Sequence, residues 1–131
     1  MKKDLKIPVV TDVDMAIVYE YNDIYQTDDW NVYIINKKDI DLELVVVVSQ
    51  GFNDTKTTSL LRKKIEVLPK NSFAKVEFIQ PELFKLHNRF QVSFFAENKL
   101  FDKTFVFEKD TIKEGRLRHI PTLDKKGILA N

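Results

Sequence analysis

The sequence predicts an all-β fold, an antiparallel β-sandwich of about seven strands in two sheets. Apolar and polar residues alternate with period two through most of residues 12–110, and Val, Ile, Phe and Tyr are abundant there. Turn residues separate the alternating segments at a spacing of about ten residues. No helical segment is long enough to connect parallel strands, which excludes a doubly wound α/β fold.

The first two strands are expected over about residues 12–22 and 29–36. The segment Asn36-Lys37-Lys38-Asp39 then predicts a tight turn, because Asn and Asp tolerate the left-handed backbone conformation. We therefore expect a hairpin between the second and third strands. The predicted core-facing residues are Val13, Met15, Ile17, Tyr19 and Tyr21 in the first strand and Trp30, Val32 and Ile34 in the second.

The third strand is expected over about residues 40–50, ending before the polar loop Asn53-Asp54. Residues 56–68 alternate weakly and are compatible with one strand or two. Strict alternation in the third strand puts the following residues on the core side: Ile40, Leu42, Leu44, Val46 and Val48.

The remaining elements are a strand over about residues 73–79, one short helix near 81–86 and a closing hairpin. Pro81 suits the first turn of the helix, where its missing N–H would be unpaired in any case. Residues 97–99 join the two arms of the hairpin. The core face of this hairpin contains Phe90, Val92, Phe94 and Ala96 on one arm and Phe101, Phe105 and Phe107 on the other.

The chain has 131 residues, a mass of 15.4 kDa, three glycines and no cysteine. This length predicts a single domain over residues 1–131. Glycine-rich phosphate loops need several clustered glycines, and disulfides and thiolate metal sites need cysteine, so these sites are excluded. No apolar run resembles a signal peptide or a membrane span. We expect a cytoplasmic protein without a cofactor and without a membrane partner.

The net charge of +1 is unevenly distributed. A basic N-terminal segment, residues 1–11, and a basic C-terminal tail, residues 113–131, flank a mildly acidic body. Nucleic acid is not the expected partner, because most aromatic residues fall on core faces of strands. The candidate contacts for an anionic partner are the two basic clusters Arg62, Lys63 and Lys64, and Arg116 and Arg118.

Several strands are apolar on both faces, which is unusual for a small sandwich whose outer faces meet water. Three explanations remain open: the C-terminal tail folds back over one outer face, a second subunit covers it, or the strand register differs from strict alternation. The candidate residues of this apolar interface are Tyr33, Ile35, Val45, Val47 and Phe95.

No group of residues predicts catalysis. His87 and His119 lie far apart in the sequence, and neither has a partner at metal-ligand spacing. Asp12 and Asp14 share a strand face, but no glycine-bearing calcium loop accompanies them. We therefore expect a protein that is not an enzyme and that holds no metal.

Residues 12–108 resemble immunoglobulin-like or fibronectin-like domains, in which a turn such as Leu68-Pro69 leads into an alternating strand such as residues 74–78. The chain also resembles a group of small uncharacterised bacterial proteins, some of them labelled phenylalanyl-tRNA synthetase alpha subunit. It lacks the class II synthetase motifs, so this second resemblance implies association with translation rather than aminoacylation. The segments carrying it are Lys6-Ile7-Pro8, residues 30–36, residues 78–80, and residues 120–130.

Two functions follow as expectations. The first is a non-enzymatic binding or protein-interaction module whose partner is another protein or a second copy of the chain. The alternative is an accessory translation-associated protein that contacts tRNA or an aminoacyl-tRNA synthetase through the basic clusters, which predicts salt-dependent RNA binding.

Overall fold

The computed structural model describes residues 8–130, so most of the basic segment predicted over residues 1–11 lies outside the described residues. These residues form nine strands and two short 3₁₀ turns, Pro81–Lys85 and Glu114–Arg116. The strands are β1 (Val13–Asn22), β2 (Thr27–Asn36), β3 (Leu42–Phe52), β4 (Leu61–Leu68), β5 (Ser72–Phe78), β6 (His87–Ala96), β7 (Lys99–Phe107), β8 (Arg118–Ile120) and β9 (Lys125–Leu129).

The strands form two antiparallel sheets packed face to face, which confirms the predicted all-β sandwich. The five-stranded sheet has the order β5-β2-β1-β9-β8, and the four-stranded sheet has the order β4-β3-β6-β7. The two strands beyond the predicted seven, β8 and β9, come from the segment 113–131. Residues 56–68 contain one strand, β4, together with an isolated bridge between Phe52 and Thr57.

β1 and β2 form a hairpin through all ten of their residues. The side chain of Asn22 stabilises the turn, because its Oδ1 accepts hydrogen bonds from the backbone N–H groups of Ile24 at 2.9 Å and Tyr25 at 3.2 Å. Gln26 closes the turn with a φ of 55°. The hairpin carries Asn31 and Tyr33 on the outer face of the five-stranded sheet, where a candidate site lies.

The predicted hairpin between the second and third strands is wrong, because β2 and β3 belong to different sheets. Asn36 directs the chain across the sandwich. Its buried amide donates hydrogen bonds to the carbonyl oxygens of Ile40 at 3.0 Å and Pro69 at 3.0 Å. Its Oδ1 accepts the N–H of Lys38. A polar turn is thus tied to the opposite sheet instead of closing a local hairpin.

The strict alternation predicted for the third strand is also wrong. β3 has a bulge relative to β6 between Glu43 and Val46, and Leu44 there has a φ of 50°. A one-residue shift moves the following side chains to the opposite face. Val45 and Val47, which we predicted opposite the core, are consequently buried between the sheets, while Leu44 points to solvent.

The closing hairpin is confirmed. β6 and β7 pair from Asn88 with Phe107 to Ala96 with Lys99. The two residues between the strands, Glu97 and Asn98, have φ values of 52° and 63°, as a two-residue hairpin turn with matching twist requires. The short helix predicted near 81–86 is present as the 3₁₀ turn Pro81–Lys85.

One hydrophobic core lies between the sheets, and its largest fully buried side chains include three phenylalanines of the closing hairpin and aliphatic residues of β1 and β2. Within residues 8–130, no helix combines the length and the apolar composition needed to cross a bilayer. The core includes Val13, Met15, Ile17, Val32, Ile34, Leu42, Val45, Val47, Phe90, Val92, Phe94, Phe105 and Phe107.

Candidate binding surfaces

The hairpin of β8 and β9 extends the five-stranded sheet beside β1, and two of its apolar side chains pack on the outer face of that sheet. We call residues 118–129 the C-terminal cover. β9 pairs with β1, with Gly127 opposite Val18. Ile120 and Leu123 form a second hydrophobic cluster, separate from the main core. The residues of the sheet that they bury are Ala16, Val18, Tyr33 and Ile35.

Two predicted interface residues therefore lie under the chain's own C-terminal segment. Tyr33 and Ile35 point away from the main core, as the alternation predicts, but both are buried by the cover and offer no surface to a partner. Two of the three explanations left open for the double-sided strands apply: the tail folds back beside β1 and packs on the outer residues of β1 and β2, and the register of β3 departs from strict alternation.

A polar network lies at the rim of the cover, around the carboxylate of Glu20. Asn31 donates a hydrogen bond of 2.8 Å to Oε2, and the Tyr33 hydroxyl donates to the same oxygen. Lys125 of β9 forms an ion pair of 2.9 Å with Oε1. This carboxylate thus joins β1, β2 and β9 at the rim.

The same network shifts the pKa values of its members. Burial alone raises the pKa of Glu20, but the hydrogen bonds from Tyr33, Asn31 and Lys125 and the Lys125 charge outweigh it, so the pKa is lower than usual. The pKa of the Tyr33 hydroxyl is raised, first by burial and then by its hydrogen bond to Glu20 and the negative charge there. Both groups keep their usual ionisation states at neutral pH.

Beyond this rim, the hairpin end of the five-stranded sheet forms a depression of about 550 Å³. Its volume falls in the range of small-molecule sites. Asn22 and Thr27 already donate hydrogen bonds to the Asp29 carboxylate. Two exposed aromatic rings and a lysine complete the wall. The lining residues are Asn22, Tyr25, Thr27, Asp29, Asn31, Lys75 and Phe78.

The outer face of the four-stranded sheet has no such cover within the described residues, and we call it the open face. Four of its apolar side chains are strongly exposed. Phe95 pairs with Leu100 on β7 and with Glu43 on β3, which in turn pairs with Val67 on β4. The exposed fractions are 45% for Leu44, 48% for Val67, 38% for Phe95 and 56% for Leu100.

Phe95 is thus the member of the five predicted interface residues that a partner can reach. The other apolar residues of the open face were missed by the sequence analysis. Leu100 could have been found, because it alternates with Phe101 on the closing hairpin. Leu44 could not, because only the bulge turns it outward.

The two predicted basic clusters lie on opposite edges of the sandwich. Arg62 and Lys64 lie on β4, which neighbours β5, and pair with the outward-facing Val48 and Val46. Lys63 points to the other side of the same strand. Arg116 and Arg118 lie at β8, the opposite edge of the five-stranded sheet. The structure does not bring the clusters into one basic surface.

The exposed strand edges are poorly suited to pairing with another chain. β4 carries three consecutive basic residues, β7 carries Lys99 and Lys103, and β8 has only 3 residues. β5 is irregular, since its register with β2 shifts between Val32 and Tyr33. Charges, short strands and bulges are the means by which proteins protect sheet edges. A partner is therefore more easily accommodated on a face than on an edge.

One carboxylate lies partly buried between the sheets. Glu77 of β5 accepts a hydrogen bond of 2.7 Å from the hydroxyl of Ser49 on β3. Burial raises the pKa of Glu77, and the Ser49 hydrogen bond offsets this only in part. The adjoining cavity of about 30 Å³ is the size of one water molecule, so it offers no space for a substrate.

The two histidines each contact one carboxylate. Nδ1 of His87 lies 2.9 Å from Glu108, and Nε2 of His119 lies 3.0 Å from Asp124. Across residues 8–130, no three His, Asp or Glu side chains converge in a way that could hold a metal ion. Neither histidine has a neighbouring hydroxyl nucleophile among its hydrogen-bond partners.

No protein-family model, no curated protein and no solved structure matches this chain.

Proposed function

We propose that this chain is a non-catalytic protein-interaction module that binds its partner on the open face of the four-stranded sheet. One observation carries the proposal: Leu44, Val67, Phe95 and Leu100 lie exposed together on one end of the four-stranded sheet. On the other sheet the C-terminal cover buries Ala16, Val18, Tyr33 and Ile35, and the apolar residues that stay exposed there, Phe73, Phe78 and Leu129, are divided between β5 and β9. Contiguous exposed apolar side chains on a small protein mark interaction sites.

The chemistry of the open face suits a protein partner. Its apolar row lies at one end of the sheet, and the next rows carry polar and charged groups such as Arg62, Gln91 and Thr104. Protein interfaces likewise combine apolar contacts with polar groups that fix the orientation of the partner. Phe95 is the natural anchor, since aromatic side chains dominate the binding free energy of such interfaces.

The order of the first seven strands also supports a binding role. The order β5-β2-β1 facing β4-β3-β6-β7 resembles the fibronectin-like class, whose members mostly bind or space other proteins. Fold alone does not assign function, so this resemblance only adds to the surface argument. We place the module in the cytoplasm, a compartment with which its cysteine-free sequence is compatible.

The alternative, an accessory translation-associated protein, receives no support from the surface charges. A tRNA-sized anionic partner would need Arg62 and Lys64 to act together with Arg116 and Arg118, and these clusters lie on opposite edges. Each cluster alone supplies two or three cations, fewer than the phosphate contacts of a typical nucleic-acid interface.

The test is capture of partners from the source cells by the wild-type chain and two variants. In the first variant, Phe95→Asp and Leu100→Asp place charges on the open face. The control, Ile24→Asp, changes a more strongly exposed apolar residue in the β1–β2 turn. We expect proteins captured by the wild type and the control to be lost from the double variant.

Thermal unfolding followed by circular dichroism checks that all three chains are folded. Because Phe95 and Leu100 are exposed, their replacement should change the melting temperature by only a few degrees. Capture that is equally strong with the folded double variant would overturn the proposed interaction surface.

A further inference from the structure

Two charges of the open face lie at opposite ends of one row of paired residues, whereas Glu43 and Arg89 lie on the inner strands. The row runs from Lys64 on β4 through Val46 and Ser93 to Asp102 on β7. Directly paired residues of antiparallel strands point to the same side of the sheet. The open face therefore carries a positive group at one margin and a negative group at the other, at the same height along the strands.

From this arrangement we propose that the partner on the open face is a second copy of this chain. The two copies pack face to face about a two-fold axis that lies between them and runs parallel to the strands. Lys64 of each copy then lies beside the partner's Asp102. This inference rests on the proposed function, since it names the partner of the same surface.

The symmetry argument is geometric. Rotation by 180° about an axis along the strands exchanges the β4 and β7 margins but leaves each row at its height. It therefore places the row that contains Lys64 and Asp102 against the same row of the second copy, with the two ends of the row exchanged. In the row formed by Val67, Glu43, Phe95 and Leu100, Val67 comes to lie opposite the partner's Leu100, and Glu43 comes to lie opposite the partner's Phe95. A two-fold axis perpendicular to the strands would instead place the β4 margin against the partner's β4 margin, and the β7 margin against the partner's β7 margin.

Both charged groups are available for this contact. Lys64 lies 3.2 Å from Glu66, but both side chains are mostly exposed, so this ion pair contributes little to stability. Asp102 accepts one long hydrogen bond of 3.5 Å from Gln91. Neither interaction removes the charge from the surface, and neither needs to break for an ion pair with a second copy to form.

The size of the open face predicts the strength of the dimer. Four strands span about 19 Å, and the 8 residues of β4, the shortest of them, span about 27 Å. Two such faces bury on the order of 1,000 Å² in total, the lower end of specific interfaces. We therefore expect a dimer that dissociates in the micromolar range rather than an obligate one.

Closed two-fold dimers are the commonest assemblies of identical chains, because one self-complementary surface satisfies both partners. The open face meets this condition through the opposed charges of Lys64 and Asp102, and through Val67 and Leu100 at the two ends of one row. The strand edges do not, since β4 and β7 both carry several lysines that would repel one another in an edge-to-edge contact.

The test uses charge reversal and sedimentation velocity at about 1–500 µM protein, the range expected for a weak dimer. We expect the wild type to dimerise with rising concentration. Lys64→Asp leaves two acidic margins and Asp102→Lys leaves two basic margins, so each variant alone should dimerise at least tenfold more weakly. Mixed together, the two variants should form a heterodimer, because each acidic margin then meets a basic one.

Two further chains complete the experiment. The double variant Lys64→Asp, Asp102→Lys should dimerise like the wild type, since reversing both margins restores the pair. Lys75→Asp, which changes an exposed lysine on the other sheet, should dimerise unchanged. High salt should reduce the difference between variants, because it screens exposed charges.

A wild type that stays monomeric over this range overturns the second copy as the partner. A wild-type dimer with no recovery in the mixture overturns the symmetry proposed here. The proposed function is tested separately: if the chain is monomeric but open-face variants still lose captured proteins, the surface binds another protein and only the dimer is overturned. If substitutions on the open face change neither the captured proteins nor the sedimentation of the chain, both proposals fail.

Discussion

The two outer faces of this sandwich share the same sequence pattern but differ in how far their apolar residues are buried. Val18 and Ile35 on one sheet, and Phe95 on the other, are apolar residues on the side of the strand that faces away from the core. On the five-stranded sheet the C-terminal cover buries them. On the four-stranded sheet they remain exposed, together with the bulge residue Leu44.

The difference shows that an apolar outer face has two physical solutions. The chain can fold its own segment over the face, which gains hydrophobic free energy within one molecule at a modest loop-closure cost. It can also leave the face for another molecule, in which case association depends on concentration. Here β8 and β9 extend the five-stranded sheet beside β1, and their residues Ile120 and Leu123 pack on its outer face.

The largest expected effect on the free energy of unfolding comes from a leucine of the cover, and a leucine of the open face provides the comparison. Leu123 in the cover is 4% exposed and Leu100 on the open face is 56% exposed. We expect Leu123→Ala to lower the free energy of unfolding by about 2–3 kcal/mol, since it removes buried methyl groups and leaves a cavity. Leu100→Ala should change it by less than about 0.5 kcal/mol.

Urea unfolding of both variants at low protein concentration measures these values. Low concentration keeps any association of the open face from adding to stability. Equal losses in the two variants would mean that the open face is covered in solution as completely as the other face.

An intermediate effect is expected at Gly127, where β9 approaches β1. A Cβ atom there would lie 2.9 Å from the backbone oxygen of Ile17 and 2.9 Å from Cδ1 of Ile120. Because the backbone oxygen cannot easily move, Gly127→Ala should shift β9 away from β1 and cost about 1–3 kcal/mol.

The matched control is Gly115→Ala, since a Cβ there meets no atom within 4 Å among the described residues. Its stability should lie within about 0.5 kcal/mol of the wild type. Hydrogen exchange adds a local readout: in Gly127→Ala, amides of the cover should exchange faster than those of the four-stranded sheet. Uniform protection across both sheets would contradict a separately docked cover.

The smallest effect concerns the ion pair at the rim of the cover. Lys125→Met keeps the apolar stem but removes the charge that faces Glu20, and should cost about 0.5–1 kcal/mol at pH 7. Because the folded-state pKa of Glu20 is lowered, the stabilisation is present above the ordinary glutamate pKa and is lost as the pH falls through the lower folded value.

The difference in the free energy of unfolding between the wild type and Lys125→Met should therefore be larger at pH 7 than at pH 3. Urea unfolding at both pH values measures it. A difference that grows towards low pH would contradict a stabilising ion pair with an ionised Glu20. Lys126→Met, an adjacent lysine outside this ion pair, is the control.

Much of the local structure could be predicted from the sequence. The strands containing Val13, Trp30 and Phe90 were located by alternation, and the closing turn at Glu97-Asn98 by its polar residues between two alternating arms. These features depend on neighbours in the sequence. Of the candidate interface residues, Phe95 is exposed, whereas Tyr33 and Val45 are buried, for two different reasons.

The sequence by itself determined that this chain is an all-β sandwich, because alternation of apolar and polar residues with a period of two shows which residues can share one face of a strand. Only the tertiary structure decided what lies against each face. The bulge at Leu44 turns Val45 and Val47 into the core, Asn36 sends β3 to the opposite sheet, and the cover buries Tyr33. Each of these outcomes depends on contacts between segments distant in the chain, about which local alternation carries no information.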